Sequence, residues 1–395
     1  MSAHARPRPM GGPIWSKPFA ALALVAAIGL GLIAYRLAVG LGAVTNLSDG
    51  NPWGLWIAAD VVIGTAFACG GYAAALLVYV FNRGQLHPLV RPALVTSLLG
   101  YTMGVVGVAL DVGRPWLIWK VPFTPSHWNY DSVLFEVALC IGAYVIVLFV
   151  EASPIWLEKL AESRRTGLAR LAKRTAGFLE RALPFILALG LLLPTMHQSS
   201  LGSLMLVAGA KVHPLWQTGW LPFLFLISVL AMGWAVITFE TTLANHSLRL
   251  PVETDMLRKL WAPITGSLVV FTVVRFADLA MKGRLGLAFD SGYLSAAFWL
   301  ETTLILGGAL LLAVPSMRAR RSSLFTIALL VLAGGSLYRL DTFILAFNPG
   351  SRWAYFPSAI ETFVTVGIIA LEMLLWIVIV KRLPVLAPAT PRSTP

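Results

Sequence analysis

The stretch SVLFEVALCIGAYVIVLFVE, residues 132–151, decides the fold. Its apolar residues follow one another without the alternation of a barrel strand, so a helix is the structure that satisfies its backbone in lipid. At about 1.5 Å of rise per residue, such a helix spans roughly 30 Å, the thickness of a bilayer's hydrocarbon core. Nine more stretches of this kind predict helices over Pro18–Leu41, Ile57–Phe81, Ala93–Asp111, Leu183–Gly209, Leu221–Thr242, Trp261–Met281, Leu294–Val314, Leu324–Phe347 and Pro357–Val380, with Ser132–Glu151 fourth in order. The 395-residue chain is 58% hydrophobic and only 12% charged. The expected fold is an all-α polytopic membrane protein of about ten transmembrane helices.

A net charge of +12 suggests nucleic acid until its distribution is read. With the N-terminus inside, twenty-one of the 30 basic residues fall in inside segments, seven of them between Lys159 and Arg181, and six fall outside. Arg36, Arg275 and Arg339 lie within helices. This is the positive-inside pattern, so the charge encodes topology, no nucleic-acid partner is expected, and both termini are expected to be cytoplasmic. The first helix lacks a small-residue cleavage site and reads as a retained anchor. Cys69 and Cys140 sit in apolar helices, where small-residue packing is the expected role; two cysteines cannot hold a four-cysteine iron–sulfur cluster.

The charged stretch Ala152–Ala182 reads as an interfacial amphipathic helix held by membrane lipid. The outside loops carry Trp53, Trp56, Trp116, Trp119, Trp128, Trp216, Trp220 and Trp353, for most of which an anchoring belt is the expectation. Such loops also offer a surface to a soluble subunit. Asp111 and Glu136 in the third and fourth helices are echoed by Asp278 and Glu301 in the seventh and eighth. Helices 2–5 and 6–9 are therefore expected to form two parallel four-helix-bundle repeats, with helices 1 and 10 flanking. The expected divisions are a cytoplasmic tail over 1–17, the first helix and following loop over 18–56, the first bundle with the candidate site over 57–209, the second bundle over 210–347, the last helix over 348–383, and a disordered tail over 384–395.

A charge at the bilayer centre costs about 2.5–3.5 kcal/mol on insertion scales, so each must be paired, neutral or hydrated. Asp60, Asp111, Arg114, Asp131, Glu136, Arg275, Asp278, Glu301, Arg339, Asp341 and Glu361 all fall in or beyond the outer halves of their helices. Arg275 with Asp278, and Arg339 with Asp341, are candidate structural locks. The alternative is a line of carboxylates serving a redox site. Arg36, Glu240 and Glu372 are read as lying nearer the middle or inner half.

His197 is the most informative residue. It lies in a polar interruption of the fifth helix, Pro194-Thr195-Met196-His197-Gln198-Ser199-Ser200. One reading pairs it to a buried carboxylate for packing; the other makes it a donor to a quinone carbonyl that takes or gives a proton. The remaining histidines, His4, His87, His127, His213 and His246, fall in the tail, in loops or at membrane edges. With no second deep histidine to complete a bis-histidine pair, no haem is expected, and no metal site.

Asn46-Leu47-Ser48-Asp49-Gly50-Asn51-Pro52-Trp53-Gly54-Leu55-Trp56, Cys69-Gly70-Gly71-Tyr72, Asp111-Val112-Gly113-Arg114, Phe135-Glu136 and Leu193-Pro194-Thr195-Met196-His197-Gln198-Ser199-Ser200 closely resemble the integral membrane subunits of periplasm-facing nickel–iron hydrogenases, within the NrfD/polysulfide-reductase family. The likeness covers nearly the whole chain and is strongest from Leu41 to Glu136 and near His197. It implies a bacterial inner-membrane protein without its own redox centre. A periplasmic ferredoxin-like iron–sulfur subunit, wired to the hydrogenase large and small subunits, would pass electrons through it to menaquinone or ubiquinone.

On this reading His197 binds one quinone carbonyl, Gln198 and Ser200 orient the ring, and Tyr101 lines the pocket or packs beside it. Asp60, Asp111 and Glu136 carry protons, and Arg114 holds a carboxylate ionised or stabilises developing charge. The alternatives are a quinone module serving another periplasmic reductase and an ion or proton transporter.

Overall fold

The computed structural model describes residues 7–247 and 254–386. His4, Arg6, Arg249, Arg392, the side chain of His246 and most of the expected tail at 384–395 lie outside the described residues. Among the described residues, ten helical spans are long and apolar enough to cross a membrane: α1 Lys17–Val39, α2 Trp56–Val80, α3 Gly84–Asp111, α4 Val133–Ala161, α5 Thr166–Lys211, α6 Leu221–Asn245, α7 Thr254–Met281, α8 Tyr293–Ala313, α9 Arg321–Leu345 and α10 Ala359–Arg382. Among the described residues the only β-pairing is two isolated bridges.

Local chemistry sets the helix ends. Ser16 and Ser132 cap α1 and α4 by accepting the backbone N–H three residues on, each at 3.3 Å. Ser358 and Glu361 form a full capping box at the start of α10. Helix α2 is irregular: wide π-type turns over Trp56–Ile63 and Leu76–Val80 flank a break after Phe67. Such turns loosen the regular hydrogen-bond ladder and are common at functional sites.

Helices α2 through α5 pack in a ring of neighbours, and so do α6 through α9; the two groups join where α6 packs on α5 and α2 and where α9 packs on α2. Helices α2 and α6 are buried over most of their apolar length, whereas α5 is largely exposed before Pro194 and buries one side from Pro194 to Met205. Helix α1 lies along α10, where Gly29 and Gly367 meet backbone to backbone and a Cβ on either would strike the other.

Several side chains depart from the sequence expectations. The charged stretch Ala152–Ala182 is not a separate interfacial helix. Helix α4 runs on to Ala161 and α5 starts at Thr166, so the two form one long hairpin with a four-residue turn between them. Trp53, Trp56 and Trp216 are not belt residues but buried donors. The Trp53 indole N–H donates to the Phe343 carbonyl at 2.9 Å, and that of Trp56 to the Glu361 carbonyl at 3.2 Å. Trp116, Trp119, Trp220 and Trp353 are exposed, as a belt requires.

Neither Arg–Asp lock forms. Arg275 pairs with Glu301, both buried, and Asp278 pairs with Lys282 at 2.9 Å. Arg339 binds backbone carbonyls instead of Asp341. Arg36 is not on an inner path. It donates to the carbonyls of Leu110 at 3.0 Å and Val112 at 2.6 Å, placing its cation at the C-terminal end of α3, where the helix dipole favours positive charge.

At the same end of the molecule, Glu361 gathers the loop that precedes α2. Its carboxylate accepts from the Asn46 N–H at 3.2 Å and from the Tyr355 hydroxyl at 2.5 Å. Tyr355 in turn accepts from the Leu55 N–H at 2.7 Å. Burial, together with the Glu361 carboxylate it serves, pushes the Tyr355 phenol above its ordinary value, so it remains a donor.

Candidate functional site

Pro194 has no N–H to give, which loosens α5 just ahead of His197. His197 is fully buried. Its Nδ1 lies 2.9 Å from the carbonyl of Leu193, one turn back. A carbonyl only accepts, so Nδ1 carries the hydrogen and Nε2 of the neutral ring is the acceptor. Tyr101 of α3 approaches that nitrogen with its hydroxyl, Oη to Nε2 2.9 Å, its ring edge-on to those of His197 and Tyr144. The Cys69 thiol of α2 lies 3.1 Å from the same hydroxyl. With Nε2 accepting, the donors run in one direction, from Cys69 to Tyr101 to His197.

Gln198 extends the network. Its Nε2 lies 3.0 Å from His197 Nε2 and 3.0 Å from Thr65 Oγ1, while Thr65 donates to the Val61 carbonyl at 2.6 Å. The Gln198 Oε1 is buried without a partner, a feature that calls for a polar guest. Tyr72 and Thr195 are joined by their hydroxyls at 2.8 Å on the neighbouring turns. Gly233 of α6 rests against the Cys69 backbone, where any larger residue would push α2 away. The site is therefore built by α2, α3 and α5, backed by Tyr144 of α4 and by α6.

The other predicted residues are placed apart from this centre. Ser200 donates to the half-buried Glu136 at 2.8 Å, forming a second polar pair between α5 and α4. Asp60 is buried and accepts from Thr365 of α10 at 3.1 Å, facing α10 and α3 rather than α5. Asp111 lies near Arg36, with one carboxylate oxygen unpartnered. Arg114 is exposed and joins none of the ion pairs among the described residues.

The histidine is not paired with a carboxylate, so the packing alternative read from sequence takes a different form here. Cys69 and Thr65 are site residues that the sequence reading does not single out. The available signal is Cys69-Gly70-Gly71-Tyr72, a small-residue step in an otherwise bulky helix. Among the described residues no three His, Cys, Asp or Glu side chains converge as a metal site would require.

Comparison with known proteins identifies the family. A family described as "Polysulphide reductase, NrfD" matches residues 43–347. The chain is 44% identical over 387 residues to the "Probable Ni/Fe-hydrogenase 2 b-type cytochrome subunit" of Escherichia coli, covering 97% of this chain and 95% of that protein. It is 29% identical to the "Menaquinone reductase, integral membrane subunit" of Nitratidesulfovibrio vulgaris, covering 90% and 89%. It is 24% identical over 250 residues to the "Protein NrfD" of Escherichia coli, covering 58% of this chain and 76% of that protein.

One expectation is corrected by these likenesses. The sequence reading expects no haem, and the first of these E. coli relatives is named a b-type cytochrome, which points to haem. The histidine count deals only with bis-histidine ligation deep in the bilayer and leaves other axial sets, such as His–Met, open. Both ring nitrogens of His197 are engaged as the chain is folded, so that residue offers no free axial nitrogen in this arrangement.

Proposed function

This chain belongs to the NrfD polysulphide-reductase family, and from that membership we propose that it is the quinone-reactive membrane subunit of a hydrogen-oxidising complex. The electron donor would be a periplasmic ferredoxin-like iron–sulfur subunit attached to the large and small subunits of a nickel–iron hydrogenase. The acceptor would be menaquinone or ubiquinone. The names of two relatives, a nickel–iron hydrogenase subunit and a menaquinone reductase subunit, support the two ends of that path. Both termini are assigned to the cytoplasmic side of the inner membrane on the charge distribution, and the two helix groups are read as parallel repeats.

The observation that carries this reading is the Cys69–Tyr101–His197–Gln198 network beside a helix whose outer face is open to lipid. Phe185, Leu189, Leu192 and Met196 line that exposed face of α5, the side from which a lipid-soluble ring would approach the buried His197. A quinone is a substrate that takes up two electrons and two protons. The Tyr101 hydroxyl and the Gln198 amide are donors of the kind its carbonyls need. In the structure they point at His197, so one internal bond is exchanged when a carbonyl is bound.

The Leu193 carbonyl holds Nδ1 in place, leaving Nε2 as the working face of the imidazole. Tyr101 gives its hydrogen to the bound carbonyl and regains one from the Cys69 side. Ser200 with Glu136 offers the next carboxyl toward the Trp-rich end, and Asp60 and Asp111 are further carriers along α2 and α3.

The test is hydrogen-driven reduction of a menaquinone analogue by membranes with and without this chain, with a soluble dye as the control acceptor. Loss of quinone reduction with dye reduction retained is the expected result. An unchanged quinone rate sinks the assignment.

A further inference from the structure

Arg339 is the least expected residue near this site. It comes from α9, in the second half of the chain, and its side chain is fully buried. Its Nη1 donates to the Val62 carbonyl of α2 at 3.1 Å, and its Nη2 to the Phe225 carbonyl of α6 at 2.9 Å and to Ser228 Oγ at 3.3 Å. The guanidinium lies over the Phe225 ring, 4.7 Å from its centre, and its Nε has no partner.

These partners satisfy hydrogen bonds but carry no charge. None of the ion pairs among the described residues includes Arg339. The nearest carboxyl along its own helix, Asp341, forms no ion pair with it and keeps one buried oxygen unpartnered. An isolated cation in such a place is costly, and burial without a counter-ion calls for an explanation. Arginine stays protonated there because its intrinsic affinity for the proton is so high.

Its position supplies the explanation. Val62 is one helical turn before Thr65, and Thr65 bonds Gln198, which bonds His197. Cys69 and Tyr101 lie close enough to feel its charge, as does His197. A thiol and a phenol are neutral at ordinary pH, so neither cancels it.

We propose that Arg339 is the buried cation of the His197–Tyr101 site, a charge supplied by the second half of the chain that makes the site favour an anionic ring over a neutral one. This rests on the quinone reading above. A quinone gains negative charge before its protons are complete, and a fixed positive charge in a low-dielectric interior favours that state. Arg339 acts through its field on the site and through the turn of α2 it holds; it is a positioning residue.

Binding of two small quinones to the purified full chain tests this. One is a hydroxynaphthoquinone, which is ionised at neutral pH, and the other is methylnaphthoquinone, a neutral ring of the same size. The wild-type chain is expected to prefer the anion. Arg339→Gln should lose that preference by on the order of tenfold, the scale of one charge interaction in a partly shielded interior, affinity for the anion falling more than affinity for the neutral ring. Arg339→Lys should retain it.

Ser228→Asp sets a carboxylate beside the guanidinium without removing it, and should abolish the preference as Arg339→Gln does. That variant keeps the test alive if Arg339→Gln does not fold. Equal affinity of the wild type for both rings, or a preference that survives both charge-cancelling variants, overturns the role of Arg339 alone. A wild-type chain that binds neither ring overturns the quinone reading and the role of Arg339 with it.

Discussion

The hydroxyl of Tyr101 lies 2.9 Å from Nε2 of His197, joining α3 to α5; Gln198 meets the same nitrogen, and Cys69 of α2 reaches it through the Tyr101 hydroxyl. Removing that hydroxyl leaves the Cys69 thiol and the imidazole without their shared partner. Tyr101→Phe is expected to destabilise the chain by about 1–3 kcal/mol, the cost of buried groups left unsatisfied. Hydrogen-driven quinone reduction should fall on the order of a hundredfold, within the usual range for a positioned proton donor. Parallel dye assays on the same membranes check that the electron supply is intact.

The buried Arg275–Glu301 pair gives a sharper stability forecast. Glu301→Met strands the Arg275 cation among Phe298, Phe271 and Tyr338, and should cost about 3–5 kcal/mol. Arg275→Met should do comparable damage. The double variant, with no buried charge left over, should melt above either single one. A double variant no more stable than the singles would mean that the pair does more than neutralise itself.

Helix α1 is held to α10 by a glycine contact that tolerates no side chain. Gly367→Val is expected to separate the two helices and lower the melting temperature of the purified chain. Gly31→Val, two residues beyond the contact at Gly29 and facing open space, should leave it unchanged. Comparable melting of the two variants would count against the packing described.

Topology is open to labelling because both native cysteines are buried and give little background. Ser126→Cys, in the exposed Trp-rich segment between α3 and α4, should react with a membrane-impermeant maleimide while the membrane is intact. Glu162→Cys, in the turn between α4 and α5, should react only after that membrane is opened. The opposite pattern would invert the assigned orientation.

Much of this architecture is legible in the sequence because a span announces itself through twenty or so apolar residues that need no partner to be recognised. The misreadings share a cause: a side chain's nearest candidate partner in sequence is not its partner in space. Arg275 has Asp278 close by on its own helix, yet it reaches across to Glu301 on α8. Trp53 and Trp56 read as interface residues because indoles at a membrane edge and indoles buried against a carbonyl are identical in sequence. Their carbonyls belong to Phe343 and Glu361, at the other end of the chain.

Cys69 reads as a filler for a similar reason, since the hydroxyl that gives its thiol a role stands on the next helix. His197, Gln198 and Tyr101 are readable because a polar run in a membrane helix stands out against its surroundings. Arg114 enters the expected site through its place beside Asp111, whereas the cation near that carboxylate is Arg36, from a helix formed much earlier in the chain.

The pairing of α1 with α10 also says something about how the protein is made. At synthesis rates of about 5–20 residues per second, the first span emerges roughly tens of seconds before its partner exists. During that interval Arg36 has only the end of α3 to hold, through the carbonyls of Leu110 and Val112. That early contact moors α1 against drifting away in the lipid, and α10, made later, then closes over it like a clasp.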